Sequence, residues 1–255
     1  MSDSDRIEKM REAGRLTAAV LTAVSDLVRP GVTTLELDAF CEDYIRNTLN
    51  AIPGSKGQYD YPFTINTSLN HVVCHGMPNE KALKSGDILN IDVTVKKDGY
   101  YGDSSKMFCV GNVAPHAERL VNVTQECLYK AIRIVKPGVT LGDIGHTIQT
   151  HAESHRYSVV REYCGHGIGQ KMHEDPQVLH WGRPGEGKKL TEGMTFTIEP
   201  MINQGKRHVK LLNDGWNVIT KDRRLSAQWE HTILVTAEGF EILTLRPEEQ
   251  SLFAS

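Results

Sequence analysis

Apolar residues recur at helical spacing near the start of the chain. Over residues 5–28 the intervals are mostly three and four, at Ile7, Met10, Leu16, Val20, Leu21 and Val24. This spacing predicts an amphipathic helix that the Pro30-Gly31 pair ends. A second helix, capped by Thr33 or Thr34, is predicted to continue to about residue 49.

Later segments rich in apolar and β-branched residues predict strands. They cover residues 88–95, 106–110, 195–201 and 231–236. The pairs Asp98-Gly99 and Asp214-Gly215 are typical of hairpin turns. Short turns between consecutive strands favour antiparallel pairing. The pattern therefore predicts an α+β fold with helices laid against a curved antiparallel sheet.

The chain repeats itself at an interval of 107 residues, the distance from Pro30 to Pro137. The same interval separates the strand-like segments Gly86–Asp92 and Gly193–Glu199. Helical patterns also recur in the second half, at roughly 115–135 and 140–156. A shared offset predicts two halves of like build, roughly 5–112 and 113–245, within a single domain that spans residues 1–255.

The repeat places two carboxylates at equivalent positions. Asp92 and Glu199 each end an otherwise apolar, strand-like segment, where a carboxylate is costly to bury without a compensating group. A hairpin at Asp98-Gly99 would return Asp103 to the side of Asp92, and Glu230 opens the last predicted strand. Four carboxylates around one centre repel each other and stay ionised only if cations lie between them.

His166 completes this candidate site. It lies between glycines in Gly165–Gly169, which let another group approach the backbone closely. Each of these residues alone has a common structural role, but the joint pattern favours metal binding. One histidine with four acids suffices for two divalent ions ~3.5–4 Å apart, the spacing of two-metal hydrolases. The donor types allow Co, Mn, Fe or Zn.

Composition excludes several classes of protein. A net charge of −3 with both signs scattered gives no basic face for nucleic acid or a membrane. No segment has the ~18 apolar residues of a membrane span, and the start of the chain lacks the apolar region of a secretory signal. Five cysteines without a CxxC pair argue against disulfides and zinc-cysteine sites. We therefore expect a cytoplasmic protein that binds neither nucleic acid nor membranes.

The other histidines are expected to lie outside the site or at its edge. Ordinary structural or surface roles are expected for His71, His116, His146, His151, His155 and His180. The His151/His155 pair resembles a zinc-binding helix, but the glutamate follows two places after the first histidine instead of directly. His208 and His231 stay open as neighbours of the ligands. Cys74 lacks the base and orienting group of a thiol nucleophile.

Several motifs, taken in order, resemble the short bacterial type I methionine aminopeptidases along essentially the whole chain. The matching segments are Val72–Pro78, Gly86–Asp92, Tyr100–Ser104, Gly165–Gly169, His173–Pro176, Thr197–Pro200 and Trp229–Thr232. The resemblance implies the pita-bread fold, with pseudo-twofold halves that form a single catalytic domain. It also implies removal of the initiator methionine from nascent proteins whose second residue is small.

The resemblance assigns a role to each metal ligand. It implies that Asp103 and Glu230 bridge two divalent ions, that Asp92 chelates one ion, and that His166 and Glu199 complete the other. Glu199 is also implied as the general base.

The resemblance also implies the substrate contacts. His173 would donate a hydrogen bond to the substrate carbonyl, and His75 would lie near the leaving amide. The methionine pocket would be formed by Tyr61, Asn66, Met172 and Trp216. Many relatives have cysteine at the position of Asn66 and an aromatic residue at that of Met172, so these two positions are expected to tune substrate range.

Partners follow from the same resemblance. It implies nascent polypeptide N-termini as partners, action near the ribosome without an anchoring extension, and a monomer. One alternative is a prolidase or aminopeptidase P of the same fold, which would usually carry an additional N-terminal domain. Another is a non-catalytic relative, which would typically have lost metal ligands that this sequence retains.

Overall fold

The computed structural model describes residues 2–254. The helices in this range are α1 Asp3–Ser25, α2 Thr34–Asp43, α3 Pro115–Arg133 and α4 Leu141–Ser154. The first eight strands are β1 Ile52–Pro53, β2 Ile65–Leu69, β3 Val72–Cys74, β4 Ile88–Lys97, β5 Tyr100–Cys109, β6 Ser158–Val159, β7 Gly165–Gly167 and β8 Glu174–Val178. The others are β9 Thr195–Ile198, β10 Met201–Asn203, β11 Val209–Leu211, β12 Val218–Thr220, β13 Ser226–Gln228, β14 His231–Val235 and β15 Phe240–Ile242.

The predicted helices are present, with small shifts at their ends. Helix α1 begins at a capping box in which the Ser2 side chain accepts the Asp5 N–H, and it buries the apolar positions of the pattern except Ile7, which is partly buried. Helix α2 ends at Asp43, and the chain continues as a π-helical turn, Tyr44–Thr48. The expected end near residue 49 therefore belongs to this turn and not to α2. No helix in the described part of the chain is long and apolar enough to span a bilayer.

The repeated segments adopt matching local structures. Thr33 and Thr140 each cap the following helix with a side-chain oxygen that accepts a backbone N–H three residues later. Each also forms an isolated antiparallel bridge, Thr33 with Ala82 and Thr140 with Lys189. Both bridge partners are themselves one repeat interval apart, so the sequence repeat corresponds to a repeat of backbone structure.

In the first half, β4 is the central strand. It pairs antiparallel with β1, β2 and β5. The Asp98-Gly99 turn joins β4 to β5, as predicted, with both residues at positive φ. Strand β5 begins at Tyr100, however, and not near residue 106 as expected. The polar segment Gly102–Ser105 hid its start, although these residues are buried.

In the second half, the largest sheet has the order β15-β14-β9-β7-β8. The predicted strand 195–201 is broken, because β9 ends at Ile198 and β10 begins at Met201. Backbone hydrogen bonds between Ser105 and Glu230, of 3.2 and 3.3 Å, join this sheet to the first one. The antiparallel sheets with their covering helices are the α+β architecture predicted above.

Helices cover the sheets and form the core of each half. In the first half, α1 and α2 pack on β4 and neighbouring strands. In the second half, α3 packs on β9, β10 and β13, and α4 packs on α3, β6 and β8. Gly102 of β5 permits a close approach of α1, since an added Cβ would lie 2.6 Å from the Ala13 carbonyl oxygen. All five cysteines are free.

Candidate active site

The five residues predicted to bind metal come together in the structure. Asp92, Asp103, His166 and Glu199 line one cleft of about 750 Å³. Glu230 is fully buried, and a carboxylate oxygen of Glu230 lies within 4.8 Å of potential ligand atoms of Asp103 and His166. The cluster therefore draws on both halves of the fold.

The register of the β4–β5 hairpin determines how Asp92 and Asp103 are placed relative to each other. Thr94 pairs with Asp103, and Asp92 pairs with Ser105, so both carboxylates project from the same face of the hairpin. The Thr94 hydroxyl donates to Asp103 Oδ1 at 2.9 Å. From the second half, Thr232 Oγ1 accepts the Asp103 N–H at 3.1 Å and donates to its carbonyl oxygen at 2.7 Å. Asp103 is thus fixed by contacts from both halves.

His166 presents one ring nitrogen to the acids. Its Nδ1 donates to the Gly167 carbonyl oxygen at 3.0 Å. Its Nε2 lies 3.3 Å from Glu199 Oε1 and 3.5 Å from Asp103 Oδ2. A histidine whose other nitrogen is held by a carbonyl is typical of a metal ligand, because the contact fixes the tautomer and the orientation of the ring.

Glu199 lies in the break between β9 and β10. Its backbone N–H, carbonyl oxygen and carboxylate therefore form hydrogen bonds with side chains instead of with a neighbouring strand. Thr197 Oγ1 donates to Glu199 Oε1 at 2.9 Å. Gln228 Nε2 donates to the Glu199 carbonyl oxygen at 3.0 Å and to Oε2 at 3.2 Å. The Glu199 N–H donates to His180 Nε2 at 3.1 Å. Thr197 and Gln228 therefore fix the orientation of this carboxylate before any substrate binds, and His180 holds the Glu199 backbone.

The cluster holds more negative charge than its protein surroundings compensate. Neither side-chain oxygen of Glu230 has a hydrogen-bond partner among residues 2–254. Burial, followed by the charges of Asp103 and Glu199, raises the pKa of Glu230 well above its ordinary value. The same causes raise the pKa of Asp92. A buried carboxylate without donors is a costly arrangement unless another group supplies positive charge.

The contact between His166 and Asp103 shifts the pKa of each group. Burial alone would lower the pKa of His166, but hydrogen bonds and charges of Asp103 and Glu199 outweigh it and raise this pKa well above its ordinary value. Burial likewise opposes ionisation of Asp103, yet the contact with His166 lowers its pKa. A single imidazole therefore cannot balance the charge of four carboxylates, and the oxygens of Glu230 stay without a donor among residues 2–254.

These donors fit divalent metal ions. Carboxylate oxygens and an imidazole nitrogen are ligands that Mn, Fe, Co and Zn accept. The orphan oxygens of Glu230 point to a group that the protein itself does not provide. The residues present could therefore hold divalent cations at this centre.

The residues predicted for the methionine pocket line the same cleft. The rings of Tyr61 and Trp216 meet edge to face with centroids 4.8 Å apart. The Tyr61 hydroxyl donates to the Ile65 carbonyl oxygen at 2.7 Å, so the ring is fixed in place. Asn66 is buried and pairs with Asp92 across β2 and β4. Met172 is partly buried on the cleft wall.

His75 and His173 also line the cleft. The His173 ring lies 4.4 Å, centroid to centroid, from the ring of His166. His75 lies against Tyr163, with centroids 5.5 Å apart, and its backbone has a φ of 56°. Burial lowers the pKa of both histidines. Both are therefore neutral near pH 7, and each carries one N–H to donate.

Sequence reasoning missed the residues that hold Glu199. His180 was expected to be unrelated to the site, but it is fully buried against the Glu199 backbone, and burial lowers its pKa to about 4. No local pattern identifies it, because the contact joins the segment after β8 to the segment after β9. Gln228 could have been found from the alternation of strand residues, since it lies two places before Glu230.

The remaining sequence candidates lie elsewhere or lack reactivity. His231, next to Glu230, faces away from the cleft and contacts Thr244 and Glu249. His208 is exposed and does not line the cleft. Cys74 does line it, but burial raises the pKa of its thiol well above the ordinary value. A thiol that stays protonated agrees with the exclusion of a cysteine nucleophile.

Comparisons with known proteins address the family. Residues 8–237 match the model of metallopeptidase family M24. A methionine aminopeptidase of Escherichia coli is 56% identical over 244 residues, which cover 95% of this chain and 92% of that protein.

Solved structures give the same result at the level of the fold. The crystal structure of methionine aminopeptidase from Rickettsia prowazekii has 53% sequence identity and a TM-score of 0.93, and the match covers 95% of this chain and 98% of that chain. A prolidase from Pyrococcus furiosus has 22% identity and a TM-score of 0.75, and the match covers 94% of this chain but only 64% of that chain. The prolidase comparison shows the shared pita-bread fold alone.

Identity above one half over nearly the full length of both chains, together with the family match, leaves no ambiguity about ancestry. The chain belongs to metallopeptidase family M24 and, within that family, to the short bacterial type I methionine aminopeptidases.

Proposed function

We propose that this chain removes the N-terminal methionine from nascent proteins whose second residue is small, by hydrolysis at a centre of two divalent metal ions. The observation that carries the proposal is the fully buried Glu230, whose two oxygens have no donor among the described residues. It belongs to a cluster of four carboxylates and one imidazole beside an aromatic-walled cleft. The names and close similarity of the relatives support the reaction.

The five ligands would be divided between the two ions. Asp103 and Glu230 would hold both ions, Asp92 would hold one, and His166 with Glu199 would hold the other. When bound, the ions stabilise hydroxide near neutral pH and polarise the scissile carbonyl group. The donor set leaves the identity of the metal to Co, Mn, Fe or Zn.

Glu199 acts as the general base. Its carboxylate takes the proton of the attacking water and later gives a proton to the leaving amine. The hydrogen bonds from Thr197 and Gln228 hold this carboxylate in one orientation, so little reorganisation is needed when the reaction begins.

The two cleft histidines act on the substrate amide. His173 donates its N–H to the carbonyl oxygen as negative charge develops there. His75 lies near the leaving amide. The lowered pKa of each ring supports these roles, because a neutral imidazole can donate without adding another charge to the site.

The pocket explains the preference for methionine. Tyr61 and Trp216 form an aromatic corner for the thioether, a favourable contact for sulfur. Met172 contributes a flexible wall, and Asn66 adds an amide close to Asp92. These last two positions tune the range of substrates.

The domain organisation, location and partners of the protein are part of the same proposal. The two halves, roughly 5–112 and 113–245, work as a single catalytic domain over residues 1–255, because the ligands come from both. We infer a cytoplasmic monomer that meets nascent chains near the ribosome. The free cysteines and the scattered surface charge support a reducing compartment without nucleic-acid or membrane partners.

A panel of three peptides tests the reaction. Metal-loaded protein is incubated with Met-Ala-Ser, Met-Lys-Ser and Ala-Pro-Ser, and the free amino acids are measured by mass spectrometry. We expect release of methionine from the first peptide alone, and no release by the Glu199→Ala variant. Cleavage of Ala-Pro-Ser would assign the chain to proline-specific peptidases, and full activity of Glu199→Ala would overturn the role of the base.

A further inference from the structure

A second group of metal-ligating side chains lies on the helices of the second half. Glu126 of α3 meets His151 of α4 and His155, the C-cap residue of α4, and potential ligand atoms of all three lie within 4.8 Å of one another. His151 Nε2 is 2.7 Å from Glu126 Oε2, and the two imidazole rings are 4.6 Å apart, centroid to centroid. None of the three lines the cleft.

The geometry follows from helix periodicity. Residues four apart on a helix project from the same face, and two histidines at this spacing are the usual helical half of a zinc site. The sequence pattern was discounted because the glutamate between the histidines is misplaced. That glutamate is a general base in such motifs and not a ligand, so its position does not prevent metal binding, and Glu126 of α3 lies close enough to act as a third ligand.

The three side chains are accessible to an ion. The Glu126 side chain retains 52% of its exposure and that of His151 retains 16%, while His155 is half-buried. Three protein ligands at a partly open surface leave one position of a tetrahedral ion for water. A half-buried imidazole also loses less side-chain freedom when a metal binds, because it is already held.

We propose that Glu126, His151 and His155 form a separate surface site for one borderline divalent metal ion of the Zn, Ni or Cu class. Two imidazoles favour these ions, whereas Mn binds such donors more weakly. The proposed catalytic centre has the opposite balance, with four carboxylates and one imidazole. The two sites therefore differ in the metal that each prefers.

Arg119 opposes binding at this site. Its Nη2 lies 3.3 Å from His155 Nδ1 and 3.1 Å from the His155 carbonyl oxygen. A guanidinium only donates, so it keeps His155 Nδ1 as an acceptor. A metal at Nδ1 displaces this contact, and a metal at Nε2 requires a proton on Nδ1, which also ends it. Removal of Arg119 should therefore tighten binding.

A bound ion would also connect α3 to α4. An ion that binds only the folded protein raises its stability by mass action, and the effect increases with metal concentration. The Zn²⁺- or Ni²⁺-dependent rise in Tm should therefore be smaller in a variant that lacks the histidines.

The test counts Ni²⁺ ions per chain in tag-free protein by equilibrium dialysis. The test variant carries His151→Gln with His155→Gln, and the control variant carries His116→Gln with His146→Gln, two exposed histidines on the same helices. We expect the test variant to bind one ion fewer than wild type, the control to match wild type, and Arg119→Gln to bind Ni²⁺ more tightly. Glu126→Gln provides a second variant with an expected loss of affinity.

Peptidase activity on Met-Ala-Ser should stay unchanged in all of these variants, which shows that they are folded. Equal numbers of Ni²⁺ ions in wild type and in the double-histidine variant would overturn the proposal. So would a Tm response to Ni²⁺ that is identical in the two proteins.

Discussion

Glu230 and His231 are neighbours in the sequence, yet their side chains enter two different buried clusters of charge. Glu230 joins the acidic cluster beside the cleft. His231 contacts Glu249, which lies in the 3₁₀ turn Pro247–Leu252 and is 1% exposed. The two glutamates are therefore equally buried, and only their partners differ.

Every oxygen of Glu249 has a donor. Its Oε1 accepts the Arg246 N–H at 3.1 Å and lies 3.2 Å from Arg246 Nη2. Its Oε2 accepts from His231 Nε2 at 2.8 Å and from the Tyr129 hydroxyl. Burial would raise the pKa of Glu249, but His231, Arg246 and Tyr129 outweigh it and lower this pKa to about 2.

Glu230 has none of these donors among residues 2–254, and its pKa is raised. Burial alone therefore does not decide how a carboxylate behaves. One cluster carries its compensation in the protein, and the other lacks it, as the proposed binding of cations would explain. A structural ion pair and a metal site can thus be distinguished by their orphan oxygens, before any ion is observed.

The largest expected effect is a difference in peptidase activity between variants of the two glutamates. Glu230→Gln should lower kcat/KM on Met-Ala-Ser by a factor on the order of 10³ or more, because a bridging charge is lost and metal binding weakens. Glu249→Gln should retain the activity of wild type in its folded fraction. Similar activity losses in both variants would remove the distinction.

A smaller loss is expected where a donor is removed and the ions remain. His173→Ala should lower kcat by a factor on the order of 10²–10³, as for the loss of one oxyanion donor, and should keep the metal content of wild type. Steady-state kinetics and metal analysis of the same samples provide the check. A change in KM alone would count against the role of His173.

For the stability of metal-free protein, the substitution with the larger effect should be that of Glu249 and not that of Glu230. Glu249→Gln should lower the free energy of unfolding by about 3 kcal/mol, because Arg246 stays buried with a weakened partner. Glu230→Gln should leave it unchanged or raise it, since an uncompensated charge is removed. Urea unfolding in the presence of a chelator measures both. A loss of stability in Glu230→Gln would contradict the account.

The dependence of stability on pH should show the contribution of the compensated glutamate, Glu249. The folded-state pKa of Glu249, about 2, is below the unfolded value of about 4.3. Its contribution is therefore fully present above the unfolded pKa and is lost as pH falls from about 4.3 towards 2. Urea unfolding of metal-free wild type should show this loss, and Glu249→Gln should show less of it. Identical slopes in the two proteins would rule out Glu249 as the source.

Much of the metal cluster was predictable because it follows local rules. The repeat related Asp92 to Glu199, and the Asp98-Gly99 turn placed Asp103 beside Asp92. Each inference needs only strand alternation and a short turn. The family resemblance then added His75, His173 and the pocket residues, which no pattern in the chain alone identifies.

What the sequence did not predict depends on contacts between distant segments. His180 reaches Glu199 only because β8 and β9 lie in one sheet. Glu249 meets Tyr129, 120 positions earlier in the chain, through the 3₁₀ turn near the C-terminus. Glu126 joins His151 because α3 and α4 pack together. Side-chain partners across a core are set by tertiary packing, which hydrophobic periodicity does not specify.

The central claim is that Glu230 belongs to a centre for two cations and Glu249 does not. It is tested most directly by counting Mn²⁺ ions per chain at saturation, by electron paramagnetic resonance of free Mn²⁺, after removal of metals with a chelator. Mn²⁺ is suitable because the proposed histidine site binds it weakly. We predict two ions in wild type and in Glu249→Gln, and fewer in Glu230→Gln. The same number of ions in Glu230→Gln as in wild type would contradict the claim.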